Sequence, residues 1–207
     1  RTEKVAGRGD LPYFVEYKFD GLTLNLTYRE GQLVQAATRG NGEVGEAILP
    51  QAKTVRAVPL TIPYQGLLEV QGECIMRLSV LEQYNKTAKE PLKNARNAAA
   101  GALRNLDPAV TAARRLDAFF YQVGTIENPP YHTQPGTLEF LRKNGFPVSP
   151  YLGEPKNAEE LVACIRHIEE IRNTLDFLID GVVIKVGDFA LRERMGFTEK
   201  FPRRAVA

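Results

Sequence analysis

Only two cysteines and two histidines occur among the 207 residues. Cys74 and Cys164 are far apart and fall in different predicted elements, which argues against a disulfide-stapled scaffold and suits a reducing compartment. A cytoplasmic location is therefore expected. The same scarcity excludes zinc sites built on the usual Cys and His spacings. Long apolar runs are missing too. No stretch approaches the ~20 residues that span a bilayer, and nothing reads as a signal peptide, so no membrane partner is expected. Net charge is only +2, so a nucleic-acid surface would have to be local. Repeats and low-complexity segments do not stand out. What remains is a chain with 43% hydrophobic residues, enough for one large domain or two small ones with a real core. It opens on Arg1 rather than Met and stops within "PRRAVA", which reads as a piece of something longer.

Periodicity supplies the elements. "LTLNLTY" alternates leucine with polar residues, "REGQ" signals a turn and "LVQAAT" returns, which predicts a hairpin over 22–38. "RGNGEVGE" (39–46) reads as a glycine-rich loop. "LLEVQGECI", "AFFYQVG" and "FLIDGVVIKV" read as strands. Helices are predicted over 78–88, in "NARNAAAGALRNLDP" up to Asp107-Pro108, and in "TLEFLRKNG", stopped by Gly145. Another is predicted in "NAEELVACIRHIEEIRNTL", with Asn157 as cap and Leu161, Ile165 and Ile168 on one stripe. "DFALRERMG" reads as a short helix. Strands and helices are interspersed without strict alternation, which favours an α+β fold with largely antiparallel sheets and flanking helices.

Three strand faces carry unusual charge. In "VEYKFDG", alternation sends Glu16, Lys18 and Asp20 one way and Val15, Tyr17 and Phe19 the other. Glu69, Gln71 and Glu73 share a face of their strand, and Lys185 sits within "GVVIKV". Taken singly, the first two faces could be solvated strand edges, with lysine blunting aggregation. Lys185 fits either an exposed strand end or a pocket. Taken together they suggest more. A lysine can attack as a free amine when a nearby cation lowers its pKa, and carboxylates on adjacent strands can orient it and hold a divalent ion. Gly21 and Gly181 let a nucleotide or a neighbouring backbone come close. This is equipment for covalent nucleotidyl transfer, in which cations offset charge developing on an α-phosphate.

"KFDG" resembles the Lys-x-Asp-Gly motif of covalent nucleotidyltransferases: DNA ligases, RNA ligases and mRNA capping enzymes. The longer strings "AATRGNGEVGE", "TVRAVPL", "LEVQGE", "NARNAAAGALRNLDP", "GFPVSP", "IDGVVIKV" and "GFTEKFPRRAVA" resemble, in that order, the adenylation domain of bacterial NAD-dependent DNA ligase. The likeness runs from about residue 13 to the end. It implies an ATP-grasp-like nucleotidyltransferase fold with a cleft between two sheets, NAD as AMP donor, magnesium, nicked double-stranded DNA as partner, and a monomer.

By the same resemblance, Lys18 is the nucleophile, with Asp20 and Lys185 as further catalytic residues and Lys185 at the α-phosphate. Glu16, Arg39, Glu73, Tyr121 and Val183 would hold the nucleotide along with the two lysines. Tyr121 would stack on adenine and Glu73 would face the metal. Glu46 matches a further position near the pocket, and Arg96, Arg104 and Arg172 match positions towards DNA. Without the resemblance, Tyr121 could simply pack in the core, and Arg96 and Arg104 could be solvated helix charges. The chain departs from the family pattern at Tyr17, which faces away from Lys18, and at Asn41, Ala47, Gln71, Ala95 and Arg204; the changes at Asn41, Gln71 and Arg204 motivate the alternative of a divergent, catalytically impaired nucleotide- or DNA-binding module. An ATP-dependent RNA ligase or capping enzyme is a second rival, opposed by "NARNAAAGALRNLDP". Residues 1–207 are expected to be the adenylation core. The helices that recognise nicotinamide mononucleotide, the final motif lysine, the OB-fold and later modules are expected elsewhere in a longer chain.

Overall fold

The computed structural model describes residues 12–39, 45–190, 193 and 205–207. Eight strands form two antiparallel four-stranded sheets among these residues. The first sheet has the order β6-β1-β7-β8, built from β1 (Tyr13–Phe19), β6 (Leu152–Gly153), β7 (Ile179–Val186) and β8 (Ala205–Val206). The second has the order β3-β2-β4-β5, built from β2 (Leu22–Arg29), β3 (Gln32–Thr38), β4 (Leu68–Ile75) and β5 (Asp117–Ile126). The α+β reading with largely antiparallel sheets and flanking helices is thus the observed architecture.

The predicted hairpin is β2–β3. Its two-residue connection, Glu30 and Gly31, has φ of 48° and 74°, the positive pair that matches the right-handed twist of the flanking strands. Leu24, Leu26 and Tyr28 of β2, and Leu68, Val70 and Cys74 of β4, are buried on one face of the second sheet. Helix α3 (Ala95–Leu103) packs there through Ala95, Ala98, Ala99, Ala102 and Leu103. Its alanines let the helix lie close to the sheet. Before it come α1 (Leu49–Ala52) and α2 (Leu78–Asn85). Truncating Leu24 or Leu26, both without exposed surface, to alanine would cost about 2–5 kcal/mol.

The alanine-rich helix stops earlier than its sequence suggests. It ends at Leu103, and Asp107 then caps a separate α4 (Pro108–Ala113), accepting from the Ala109 N–H at 2.9 Å. An Asp-Pro pair is also a helix start, since proline suits the first turn, where its missing N–H leaves nothing unpaired. Helix α5 (Gln134–Lys143) begins three residues before the predicted "TLEFLRKNG", because Thr133 caps it and Pro135 occupies its first turn. Gly145, at φ 85°, terminates it as expected. Helix α6 (Ala158–Ile171) is capped by Asn157, which accepts from Glu160 N–H at 2.9 Å. Its inward stripe is Leu161, Cys164, Ile168 and Ile171, so Cys164 stands where Ile165 was expected. Most of "DFALRERMG" lies outside the described residues, as do Asn41 and Arg204.

Helix α6 covers the outer face of the first sheet. There Val15, Tyr17 and Phe19 join Ile168, Phe177 and Ile179 in a second core. Ile75 and Phe119 of the second sheet belong to this core too, and Phe19 stacks on Phe119 at 4.6 Å between ring centroids. This aromatic floor ties the sheets together beneath a cleft.

Candidate active site

At the floor of the cleft the chain crosses from one sheet to the other. β1 ends at Phe19 and β2 starts at Leu22, so Asp20 and Gly21 are the crossing. A Cβ on Gly21 would overlap the carbonyl oxygen of Cys74 in β4. Glycine here therefore serves the approach of neighbouring backbone. Asp20 N–H donates to Leu178 O at 2.9 Å and fixes the corner. With Val15, Tyr17 and Phe19 buried towards α6, alternation turns Glu16 and Lys18 into the cleft. On the facing sheet, β2 and β4 pair Thr23 with Glu73, Asn25 with Gln71 and Thr27 with Glu69, a polar face opposite the leucines.

Two bulges add side chains that simple alternation would aim elsewhere. Lys18 pairs with Gly181 and Phe19 with Ile179, so Asp180 is an extra residue in β7. Gln71 pairs with Gln122 and Gly72 with Phe120, so Tyr121 is an extra residue in β5. A bulge bends its strand and re-aims the side chain at that point. Asp180 and Tyr121 both line the cleft as a result.

The resulting cavity measures about 360 Å³, within the range of small-ligand sites. Glu16, Lys18, Asp20, Arg39, Glu73, Arg96, Tyr121, Val183 and Lys185 line it, together with Thr23 and Asp180. At one end the half-open Lys18 amine faces Asp180 at 3.4 Å, and Arg96 reaches Asp20 at 3.4 Å. The Thr23 hydroxyl donates to Glu73 at 3.3 Å. Burial pushes the Glu73 carboxyl up to about 7, against the opposing pull of the Thr23 hydroxyl, the Gly21 N–H and the Arg96 charge. The nearby Asp180 carboxylate pushes it the same way as burial. At the other end Lys185 forms a buried ion pair with Glu16 and stands 5.3 Å from the centre of the Tyr121 ring. Burial raises the Tyr121 hydroxyl above the usual phenol range. Lys185 lies four residues beyond the partner of Lys18 in β7, about 13 Å of strand at ~3.3 Å per residue. The two lysines thus border one cavity from opposite ends.

Other expected members lie apart. Glu69 lines a separate groove and accepts from the Thr125 hydroxyl at 2.8 Å. Gln71 lines that groove and a neighbouring hollow that shares Arg39, Tyr121 and Lys185 with the cavity. Glu46 pairs with Arg104 at 3.3 Å on the surface, and Ala47 bridges to Ala37. Arg172 donates to Ile179 O at 3.0 Å, bracing the start of β7. Three groups escaped the sequence reading. Asp180 was hidden by its bulge, although an acid directly before a glycine in an otherwise apolar strand was a usable signal. Thr23 shows itself only through pairing with Glu73. Gln134, at the head of α5, donates to Glu16 at 2.8 Å and carries no local sequence signal.

Among the described residues, no cluster of three His, Cys, Asp or Glu is arranged to hold a metal on its own. The donor set nevertheless fits magnesium, which characteristically takes one or two carboxylates and leaves the remaining positions to water and substrate phosphate. Glu73, with Asp180 close enough to act on its charge, supplies such carboxylates.

The family model for the NAD-dependent DNA ligase adenylation domain matches residues 1–207. A DNA ligase of Alkaliphilus metalliredigens is 55% identical over 205 residues, covering 99% of this chain and 31% of the relative. A DNA ligase of Alkaliphilus oremlandii is 58% identical over 197 residues, covering 95% of this chain and 30% of the relative. The chain thus spans under a third of the length of these relatives. Among solved structures, an archaeal ATP-dependent RNA ligase superposes with a TM-score of 0.50 at 16% identity, covering 90% of this chain and 42% of that one. That likeness concerns the fold alone.

Proposed function

Because the chain belongs to the NAD-dependent DNA ligase adenylation family, we propose that its cleft takes the AMP half of NAD and transfers it to Lys18, as the first step in sealing a DNA nick. The observation that carries this reading is the convergence on one cavity of an open lysine amine facing Asp180, the further carboxylates Glu16, Asp20 and Glu73, and the Tyr121 ring. The free-amine form of Lys18 attacks the α-phosphorus and passes its surplus proton to solvent. A P–N bond forms and the P–O bond to nicotinamide mononucleotide breaks. AMP then passes to the 5′-phosphate of the nick, and the 3′-hydroxyl displaces it.

Asp180 and Asp20 orient the amine and its neighbour Arg96. Glu73, with Asp180 beside it, is the group that would hold magnesium, which supplies positive charge against the phosphate when bound. Ionised Glu73 is disfavoured by burial, so a cation there offsets that penalty. Glu16 and Tyr121 serve the adenine, the carboxylate at its donor edge and the ring at its face. In this reading Lys185 works at the base edge beside Glu16 rather than at the α-phosphate. Val183 and Arg39 complete the nucleotide walls, and Arg96, Arg104 and Arg172 serve DNA phosphates. Residues 1–207 act as the adenylation core of a cytoplasmic, monomeric enzyme. Gln71 and Ala47, which depart from the family pattern, lie outside the cavity, so its charged set stands without them.

The test is a chimera in which residues 1–207 replace the matching segment of the 55% identical relative. Given NAD and magnesium, it should release nicotinamide mononucleotide and seal nicked duplex. A folded chimera that does neither would remove the proposal.

A further inference from the structure

We infer that Gln134 is a positioning residue that sets the base selectivity of the cleft, by holding the Glu16 carboxylate and the Tyr121 bulge in one arrangement. The inference rests on the reading of Glu16 as the group at the base edge. Gln134 is 2% exposed, and its side-chain N–H₂ donates to Glu16 Oε1 at 2.8 Å and to the Tyr121 carbonyl at 3.4 Å. Its backbone N–H donates to Gly187 O at 3.0 Å, just past the end of β7. One side chain at the head of α5 therefore braces β1 in one sheet and β5 in the other.

The chemistry follows from the donor count. An ionised carboxylate only accepts, and its two oxygens offer about four lone-pair positions. Lys185 takes one oxygen of Glu16 and Gln134 takes the other. Held from both sides, the carboxylate keeps a fixed orientation with acceptor capacity left over. It suits a base edge that donates, such as the exocyclic amine of adenine. It opposes a base that presents a carbonyl there, as hypoxanthine does. Without Gln134, Lys185 alone would leave the carboxylate free to turn, and the tie between the carboxylate and the bulge that aims Tyr121 would be lost.

The experiment measures AMP and inosine monophosphate binding to the 207-residue chain by calorimetry, with folding checked by thermal melting. Wild type should prefer AMP by about tenfold, and Gln134→Met, which keeps the volume without the donor, should bring the two ligands within about twofold. Gln134→Leu serves if the methionine variant does not fold, since it too lacks the donor. Glu16→Ala is measured alongside. Loss of selectivity in Glu16→Ala with full selectivity in the folded Gln134 variants would overturn the role of Gln134 while leaving the base-edge reading intact. Full selectivity in Glu16→Ala would overturn that reading and the inference with it.

Discussion

Replacing Glu73 by glutamine should stabilise the fold in alkaline solution, and the effect should vanish in acid. Burial raises this carboxyl from 4.5 to about 7. The native state therefore keeps a proton that the unfolded chain has released over that interval. Stability falls with rising pH wherever the native state binds more protons. The cost is absent below about pH 4.5, grows through the window up to about 7, and is complete above it. A shift of that size corresponds to about 3 kcal/mol. Glutamine has no such titration, and losing the Thr23 contact would add only a pH-independent offset. The assay is urea denaturation of both proteins at about pH 5 and about pH 8.5, with chelator present so that no cation favours the ionised form. The stability of Glu73→Gln relative to wild type should rise by about 2–3 kcal/mol between the two conditions. A difference that stays constant with pH would show that Glu73 is ionised without penalty, and that the proposed link between burial and cation binding is wrong.

Three other outcomes follow from the same geometry. Magnesium should bind the chain more tightly as pH rises through about 7, because binding requires the ionised Glu73; calorimetric titration across that range checks it. Gly21→Ala should cost about 3 kcal/mol or more by urea denaturation, since the new Cβ overlaps the Cys74 carbonyl oxygen and backbone has to move. In the chimera, Lys18→Ala should abolish AMP attachment while nucleotide binding persists, because losing a nucleophile removes the covalent product itself. Intact mass together with calorimetry separates the two effects.

The charged strand faces show where the sequence was legible. The burial of Val15, Tyr17 and Phe19 under α6 leaves Glu16 and Lys18 for the cleft, as a period of two requires. The same period overreached on β4. Glu69, Gln71 and Glu73 do share a face, but Glu69 lies four residues from Glu73, about 13 Å along the strand, and so beyond the cavity. Asp180 was lost for the opposite reason: a bulge adds one residue, and every parity argument reverses across it. Asp107-Pro108 signals a helix stop in the sequence, yet the same pair is also a helix start. The strands Leu152–Gly153 and Ala205–Val206 are two residues each, too short for any period to register. Gln134 reaches Glu16 from 118 positions away in sequence, a contact made where the head of α5 meets β1 and β5.

If the cleft works as proposed, Lys18 is the residue that carries AMP. Peptide mapping of the chimera after incubation with NAD and magnesium addresses it directly. One AMP is expected on the peptide containing Lys18, held by an acid-labile P–N bond and lost when nicked DNA is added. AMP recovered on a different side chain, with Lys18 unmodified while nicotinamide mononucleotide is released, would contradict it.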